Sequence, residues 1–352
     1  MFEVRPAFFP LHTPTEVHDA SHPIRRPPSV LATRLPRTPS VAAWLIAMAL
    51  GASSVARADS EDPADDELRT THVGGSVSQI EAVGGFGGGN VAVSVGADGT
   101  LVVDSMTRRI APKLKAALSQ LSPEPARILI NTHFHGDHAG GNLDIGASAV
   151  IVAQDNVRGR LQALHMPDKG LPVVAYHDEL RVHFNGEDVR LLHCADAHTD
   201  GDTIVVFPTS KVAHFGDLYF SGMFPAVYTQ GGGTWHGLID CLDRVLPQLP
   251  EDTRIIAGHG ALSDMKALRA YLAMLKETTR IVEEHLDRGE SAEDMIRGHV
   301  LAAFDPLGKG GAQTTDQYIV MLTGLLARAP DQAMQKEKSA GASASIAHWP
   351  GR

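Results

Sequence analysis

The chain is poor in cysteine: Cys194 and Cys241 are its only two in 352 residues. They form no C-x-x-C pair, which excludes a dithiol redox motif and a cysteine-rich zinc site. A disulfide between them stays open, but the preferred reading is two separate buried thiols behaving as small apolar side chains. Positive charge is also short, with 31 Lys and Arg against 41 Asp and Glu and a net charge of −10. The segment 1–58 is net basic, so the remainder is more acidic still. That balance argues against nucleic acid as a partner, because its phosphates would be repelled. The glycine-rich run Gly84–Asn90 lacks the G-K-[ST] of a phosphate loop and joins strands where such a loop would open a helix. It reads as a hairpin tip, with a mobile flap as the functional alternative. No repeat of fixed period is present.

The longest signal-like feature is Val41–Leu50, VAAWLIAMAL, preceded by Arg34 and Arg37 and followed by Ala56-Arg57-Ala58. This is the layout of an export signal cleaved before Asp59. The apolar stretch is short of the roughly 20 residues of a bilayer span, so no membrane span is expected after cleavage; a retained anchor is the competing reading. Arg25-Arg26 is a weak twin-arginine candidate, since prolines follow it. The expected location is periplasmic or secreted. Residues 59–71 read as a flexible acidic leader. From Ala329 onward the chain turns Ala-, Ser- and Lys-rich and reads as a disordered tail.

Between these ends, apolar alternation predicts strands at Val73–Val83, Val91–Val95, Leu101–Val103, Arg127–Ile130, Ala149–Ala153, Leu180–Phe184, Val189–His193, Ile204–Phe207, Lys211–Ala213 and Arg254–Ala257. Helical spacing appears at Arg108–Leu121, Asn156–Leu164, Leu238–Leu246, Ala267–His285 and Tyr318–Leu326. Asp98-Gly99 and Asn185-Gly186 mark hairpin turns.

Several strands end in metal-ligand chemistry. After Arg127–Ile130 comes N-T-H-F-H-G-D-H, which places His133, His135, Asp137 and His138 within six residues. Ala139–Asn142 then reads as a sharp turn. His198, Asp217 and His259 each follow a later strand, flanked by glycine. A lone histidine is usually solvated or hydrogen-bonded, but four segments with the same context describe one rim of strand-end loops. Imidazole with carboxylate suits zinc or a similar divalent ion. His236 and His193 are weaker candidates, His214 has no evident chemistry, and His165, His177 and His183 read as surface residues. Asp200 and Asp202 read as turn formers or as partners for a ligating imidazole.

On the H-x-H-x-D-H motif, Gly216-Asp217 and Gly258-His259-Gly260, the chain resembles the metallo-β-lactamase-fold superfamily of metallohydrolases. The resemblance covers residues 72–275, with 276–328 as a C-terminal helical extension. It implies a four-layer αββα sandwich, two mixed sheets face to face with helices outside. Carried over residue by residue, it implies that His133, His135 and His198 bind one zinc ion. Asp137, His138 and His259 would bind a second, with Asp217 bridging both. Asp137 would in addition orient water and move a proton.

The resemblance leaves the substrate open. The expected function is an exported dinuclear zinc hydrolase of an ester, thioester, lactone or amide in a small molecule. A β-lactamase is the alternative, but the best-known lactamases carry Cys where this chain has Asp217, and a substrate-gripping Lys where it has Phe220. A non-catalytic zinc-binding module is the third reading. Phe215, Tyr219, Phe220, Met223, Phe224 and Tyr228 read either as an apolar substrate wall or as core.

Overall fold

The computed structural model describes residues 67–83, 88–309, 311 and 313–327. The export signal, residues 59–66 of the leader, Gly84–Gly87 of the glycine run and the expected disordered tail lie outside the described residues.

The alternating segments assemble into two sheets. The first holds seven strands in chain order: β1 (Glu67–Gly74), β2 (Val77–Val83), β3 (Val91–Gly96), β4 (Gly99–Val103), β5 (Ala126–Ile130), β6 (Val150–Gln154) and β7 (Val174–Tyr176). The second holds six: β8 (Glu179–Phe184), β9 (Glu187–Cys194), β10 (Asp202–Phe207), β11 (Val212–His214), β12 (Arg254–Ile256) and β13 (Ser263–Asp264), again adjacent in chain order. Both sheets mix parallel and antiparallel pairs. The helices are α1 (Ala111–Leu121), α2 (Gly136–Ala139), α3 (Asn142–Ile145), α4 (Asp155–Ala163), α5 (Trp235–Val245), α6 (Met265–Asp287) and α7 (Ala292–Arg297). A further helix, α8, spans 315–327.

Strand alternation explains the layers. In β10, Val205 and Phe207 turn to one face while Ile204 and Val206 turn to the other, and all four are buried. A strand apolar on both faces needs cover on both. The inner cover is the other sheet: Val205, Phe207, Leu191 and Ile256 meet Val77, Leu101, Val103 and Ile130. Outside the first sheet, Val93, Val102 and Leu129 pack against Leu114 and Leu118 of α1. Outside the second, Ile204, Val206 and Ile255 pack against α5, α6 and α8 through Leu238, Leu275 and Leu322. The result is the expected αββα sandwich with extra C-terminal helices.

Several expectations change in detail. Val73–Val83 is not one strand, because a turn at Gly75, with φ 53°, splits it into β1 and β2. The leader is not flexible throughout: residues 67–71 belong to β1, where Glu67 pairs with Val83. Ala139–Asn142 is not a plain turn but the join between α2 and α3. The boundary at 275 falls inside α6, a continuous helix of 23 residues, so catalytic domain and extension share one core. Tyr318 and Leu322 of α8 are fully buried in that core.

The two cysteines are not separate thiols. Cys194 ends β9, Cys241 lies on α5, and the two are bonded with their Cα atoms 5.5 Å apart. Both ends of the bond are buried in the core outside the second sheet, which is why each read as an ordinary apolar position. The bond closes a loop of 47 residues, so the double variant Cys194→Ala/Cys241→Ala should lose about 2–4 kcal/mol in a urea titration. An unchanged midpoint would show that the bond does not form in the purified protein.

Candidate metal centre

Strand direction gathers the functional side chains. β9 and β11 each run antiparallel to β10, and β12 runs parallel to β11. The C-terminal ends of β9, β11 and β12 therefore lie on one rim, and His198, Asp217 and His259 each follow one of them. In the first sheet β4 and β5 are parallel, so residues leaving Val103 and Ile130 also emerge together.

All seven expected donors meet there, in two groups of four. In the first, His135 Nδ1 lies 3.0 Å from both His133 Nε2 and His198 Nε2, and Asp217 Oδ2 lies 3.8 and 3.4 Å from those two Nε2 atoms. In the second, His138 Nε2 is 3.4 Å from His259 Nε2, 3.1 Å from Asp217 Oδ1 and 3.7 Å from Asp137 Oδ2. Asp217 contributes one oxygen to each group. Ligands about 2.0–2.1 Å from a tetrahedral zinc stand about 3.3–3.4 Å apart, and these spacings bracket that value.

The other ring nitrogens decide what the inner ones can do. His198 Nδ1 donates to Ala226 O at 2.7 Å. His133 Nδ1 lies 3.1 Å from Thr132 Oγ1, whose own proton goes to Asp104. His138 Nδ1 donates to Asp104 Oδ2 at 2.7 Å. Fixed in this way, His133 and His198 as neutral rings turn an Nε2 lone pair inward, and His138 does so once its extra proton is lost. Lone pairs facing one another and a carboxylate repel unless a cation stands between them. Asp217 Oδ1 is likewise buried, 3.1 Å from His138 Nε2 and 3.3 Å from His259 Nε2. The donor set therefore fits metal ions.

A family model for the metallo-beta-lactamase superfamily matches residues 84–259, half of the chain. The chain belongs to the metallo-beta-lactamase superfamily. Among curated relatives, a hydroxyacylglutathione hydrolase of Synechococcus sp. (strain JA-3-3Ab) is 31% identical over 43% of this chain and 55% of its own length. The alpha subunit of a 2,4-dinitroanisole O-demethylase of Nocardioides sp. (strain JS1661) is 26% identical over 31% and 34%. The chain thus spans about half the length or less of the curated relatives it matches. Among solved structures, a metallo-beta-lactamase from Pontibacter korlensis shares 16% identity, covering 60% of this chain and 99% of that one with a TM-score of 0.53. The DIM-1 metallo-beta-lactamase shares 18% with a TM-score of 0.52, covering 60% of this chain and 98% of that one. These likenesses show the fold.

In this superfamily member the residue that sequence reading missed is Asp104. It follows β4, is fully buried, and holds a left-handed backbone with φ 68°. Its carboxylate accepts from Thr132 N, Thr132 Oγ1 and His138 Nδ1, each at 2.7 Å. One carboxylate thus orients a donor of each group, His138 directly and His133 through Thr132. The signal was present, a polar residue at the end of an apolar strand, but no histidine stood beside it. Two glycines are dictated by approach. A Cβ on Gly258 would stand 2.0 Å from Asp217 Oδ1, and one on Gly89 would stand 2.4 Å from His138 Cε1. Gly89 and Asn90, at the described end of the glycine run, bond Asp137 O and Gly258 O.

The remaining candidates fall elsewhere. His236, His165, His177 and His183 are exposed. His193 bonds Asp202 O at 3.1 Å. His214 is fully buried; it donates to Asn90 O and accepts from Gly216 N, fixing the backbone beside Asp217. Asp200 pairs with Arg160 at 2.6 Å. Asp202 accepts from Thr199 N and Oγ1 and closes the turn after His198; burial pushes its carboxyl up to about 8. The aromatic wall is mostly core, since Phe215, Tyr219, Phe220, Met223 and Phe224 are buried outside the second sheet. Tyr228 is the exception. It is 42% exposed, with its ring centroid 4.4 Å from His135 and 5.4 Å from His198.

The two groups differ in charge. Burial holds the His133 and His198 rings below the usual imidazole range and takes His135 down to about 3. Burial pushes His138 and His259 the same way, but Asp217 and Asp137 overcome it, holding His138 well above its usual value and His259 at about 9. A proton there does the work a cation would do. A metal would meet neutral rings in the first group, while the second would have to release protons first, so its affinity would fall as pH drops below about 9. Calorimetry of zinc uptake at pH 7 in buffers of different ionisation enthalpy should show net proton release; none would contradict this reading. Asp104→Ala should weaken metal retention about 10–100-fold, as removal of a ligand's orienting partner does. Chelator competition on the purified variant measures it, and parental affinity would deny Asp104 its role.

Proposed function

We propose that the mature chain is an exported dinuclear zinc hydrolase that cleaves an ester, thioester, lactone or amide bond of a small molecule. The observation that carries this is the pair of four-donor groups sharing Asp217, with no expected ligand missing. His133, His135, His198 and Asp217 would hold one ion, and Asp137, His138, His259 and Asp217 the other. When bound, such ions supply Lewis acidity that activates water and polarises a carbonyl oxygen.

The chain's own residues do the rest. Asp217 is buried, with its side chain 7% exposed, and balances charge between the groups. Asp137 is 25% exposed, the more open of the two carboxylates, with Oδ2 3.2 Å from His259 Nε2. Against the opposing push of burial, His138 and His259 hold the Asp137 carboxyl below the usual range, so it is ionised at neutral pH; it is its place at the cleft that would let it take a proton from water. Tyr228 offers a flat apolar face with a phenol beside the first group, where it can wall an acyl chain.

A thioester leads among the candidate bonds because several of the relatives are named hydroxyacylglutathione hydrolases. β-Lactam hydrolysis is less well supported. Phe220, where the lactamases place a cation, is buried and stacked on the His259 ring at 5.4 Å. The Cys194–Cys241 bond supports export, since such bonds persist in oxidising compartments. The decisive experiment takes protein from Asp59 onward, loads it with zinc, and assays acyl thioesters, lactones, aryl esters, a chromogenic cephalosporin and a phosphodiester. About two zinc equivalents and hydrolysis of an acyl substrate are expected. Asp137→Ala should cut kcat by about 10²–10⁴-fold with the metal-free melting temperature preserved. Less than one equivalent of zinc, or full activity in the variant, would sink the mechanism.

A further inference from the structure

His198 takes its ring orientation from a main-chain carbonyl, Ala226 O, at 2.7 Å. Residues 224–228 around that carbonyl carry no regular secondary structure. A carbonyl in such a segment is fixed only as well as the groups that grip its neighbours. The grip comes from the far end of the chain. Phe224 stacks on Tyr318 of α8, with ring centroids 4.1 Å apart and planes 13° from parallel. The Tyr318 hydroxyl meets Thr278 Oγ1 of α6 at 2.8 Å, which anchors the stack to the longest helix. Gln313 Nε2, just before α8, donates to Pro225 O, the carbonyl next to Ala226 O. The same segment returns to the site at its other end, where Tyr228 N donates to His198 O at 2.9 Å.

We propose that Tyr318 and Gln313 are positioning residues for His198, acting through the 223–228 segment. The C-terminal helix, which lies outside the region matched by the family model, is then part of the metal centre's scaffold. Packing holds Phe224, one side-chain hydrogen bond holds Pro225, and the Ala226 carbonyl between this grip and Tyr228 holds the imidazole. Aligning the ring before a ligand arrives spares its rotational freedom at binding, and partners of this kind shift metal affinity about 10–100-fold. This rests on His198 being a ligand of the first group.

Two measurements separate the brace from that assumption. The first is the exchange of the His198 Nδ1–H proton, followed by NMR in the metal-free full chain. Gln313→Ala and Tyr318→Leu should speed it, while Tyr318→Phe, which keeps the ring stack and loses only the Thr278 bond, should speed it less than Tyr318→Leu. The second is zinc partition by chelator competition. The same two variants should weaken one of the two ions about 10-fold and leave the other unchanged, with melting of the metal-free proteins measured alongside. A purely structural role would lower melting without changing either proton exchange or the difference between the two ions. Unchanged exchange in both variants overturns the proposal. Faster exchange with unaltered zinc affinity supports the brace and counts against His198 as a ligand of the first group. If Tyr318→Leu fails to fold, Gln313→Ala, at a half-buried position, decides the question alone.

Discussion

The structure depends on one electrostatic conflict. Five imidazoles and two carboxylates aim lone pairs and negative charge into a space where their nearest atoms stand 3.0–3.8 Å apart. In an environment that excludes most water, such an arrangement is unfavourable unless positive charge fills it. The scaffold enforces it all the same. Asp104, Ala226 O and Thr132 fix rings from behind, glycines at 89 and 258 let backbone and side chain close in, and His214 fixes the turn that carries Asp217. Cations or protons are the only inexpensive ways to satisfy what the fold holds together, and the raised His138 and His259 show the second at work.

Strand direction makes that enforcement possible. No single loop has the reach to supply both donor groups, but parallel and alternating strands deliver four loops and Asp104 to one rim. The double-faced burial of β10 sets the sheets face to face, and the helices on either side complete two outer cores. The C-terminal helices belong to one of those cores and to the support of the site at once.

Much of this was legible in the sequence because it is written in local signals. Period-two alternation marked most strands, and H-x-H-x-D-H marked its loop through spacing alone. What escaped was either non-local or without a side-chain signature. Asp104 resembles any polar residue at a strand end until His138 is seen to meet it. The Ala226 carbonyl has no residue type to betray it. Cys194 and Cys241 lie 47 residues apart, and only the packing of α5 on β9 brings them together. The aromatic run after Asp217 misled because core and substrate wall share one composition; burial separates Tyr228 from the others. The turn at Gly75 and the helical join at Ala139–Asn142 are short-range choices that neighbouring packing decides.

Position 104 carries a wider consequence. A left-handed backbone is strained for side chains other than glycine, though aspartate is among the few that adopt it, and the buried carboxylate needs three donors to be tolerated there. Glycine would relieve the backbone, and a neutral side chain would relieve the burial. Selection for heat resistance alone would therefore drift away from aspartate, trading the metal centre's alignment for a calmer fold. What keeps an aspartate there is the alignment it gives His138 and, through Thr132, His133.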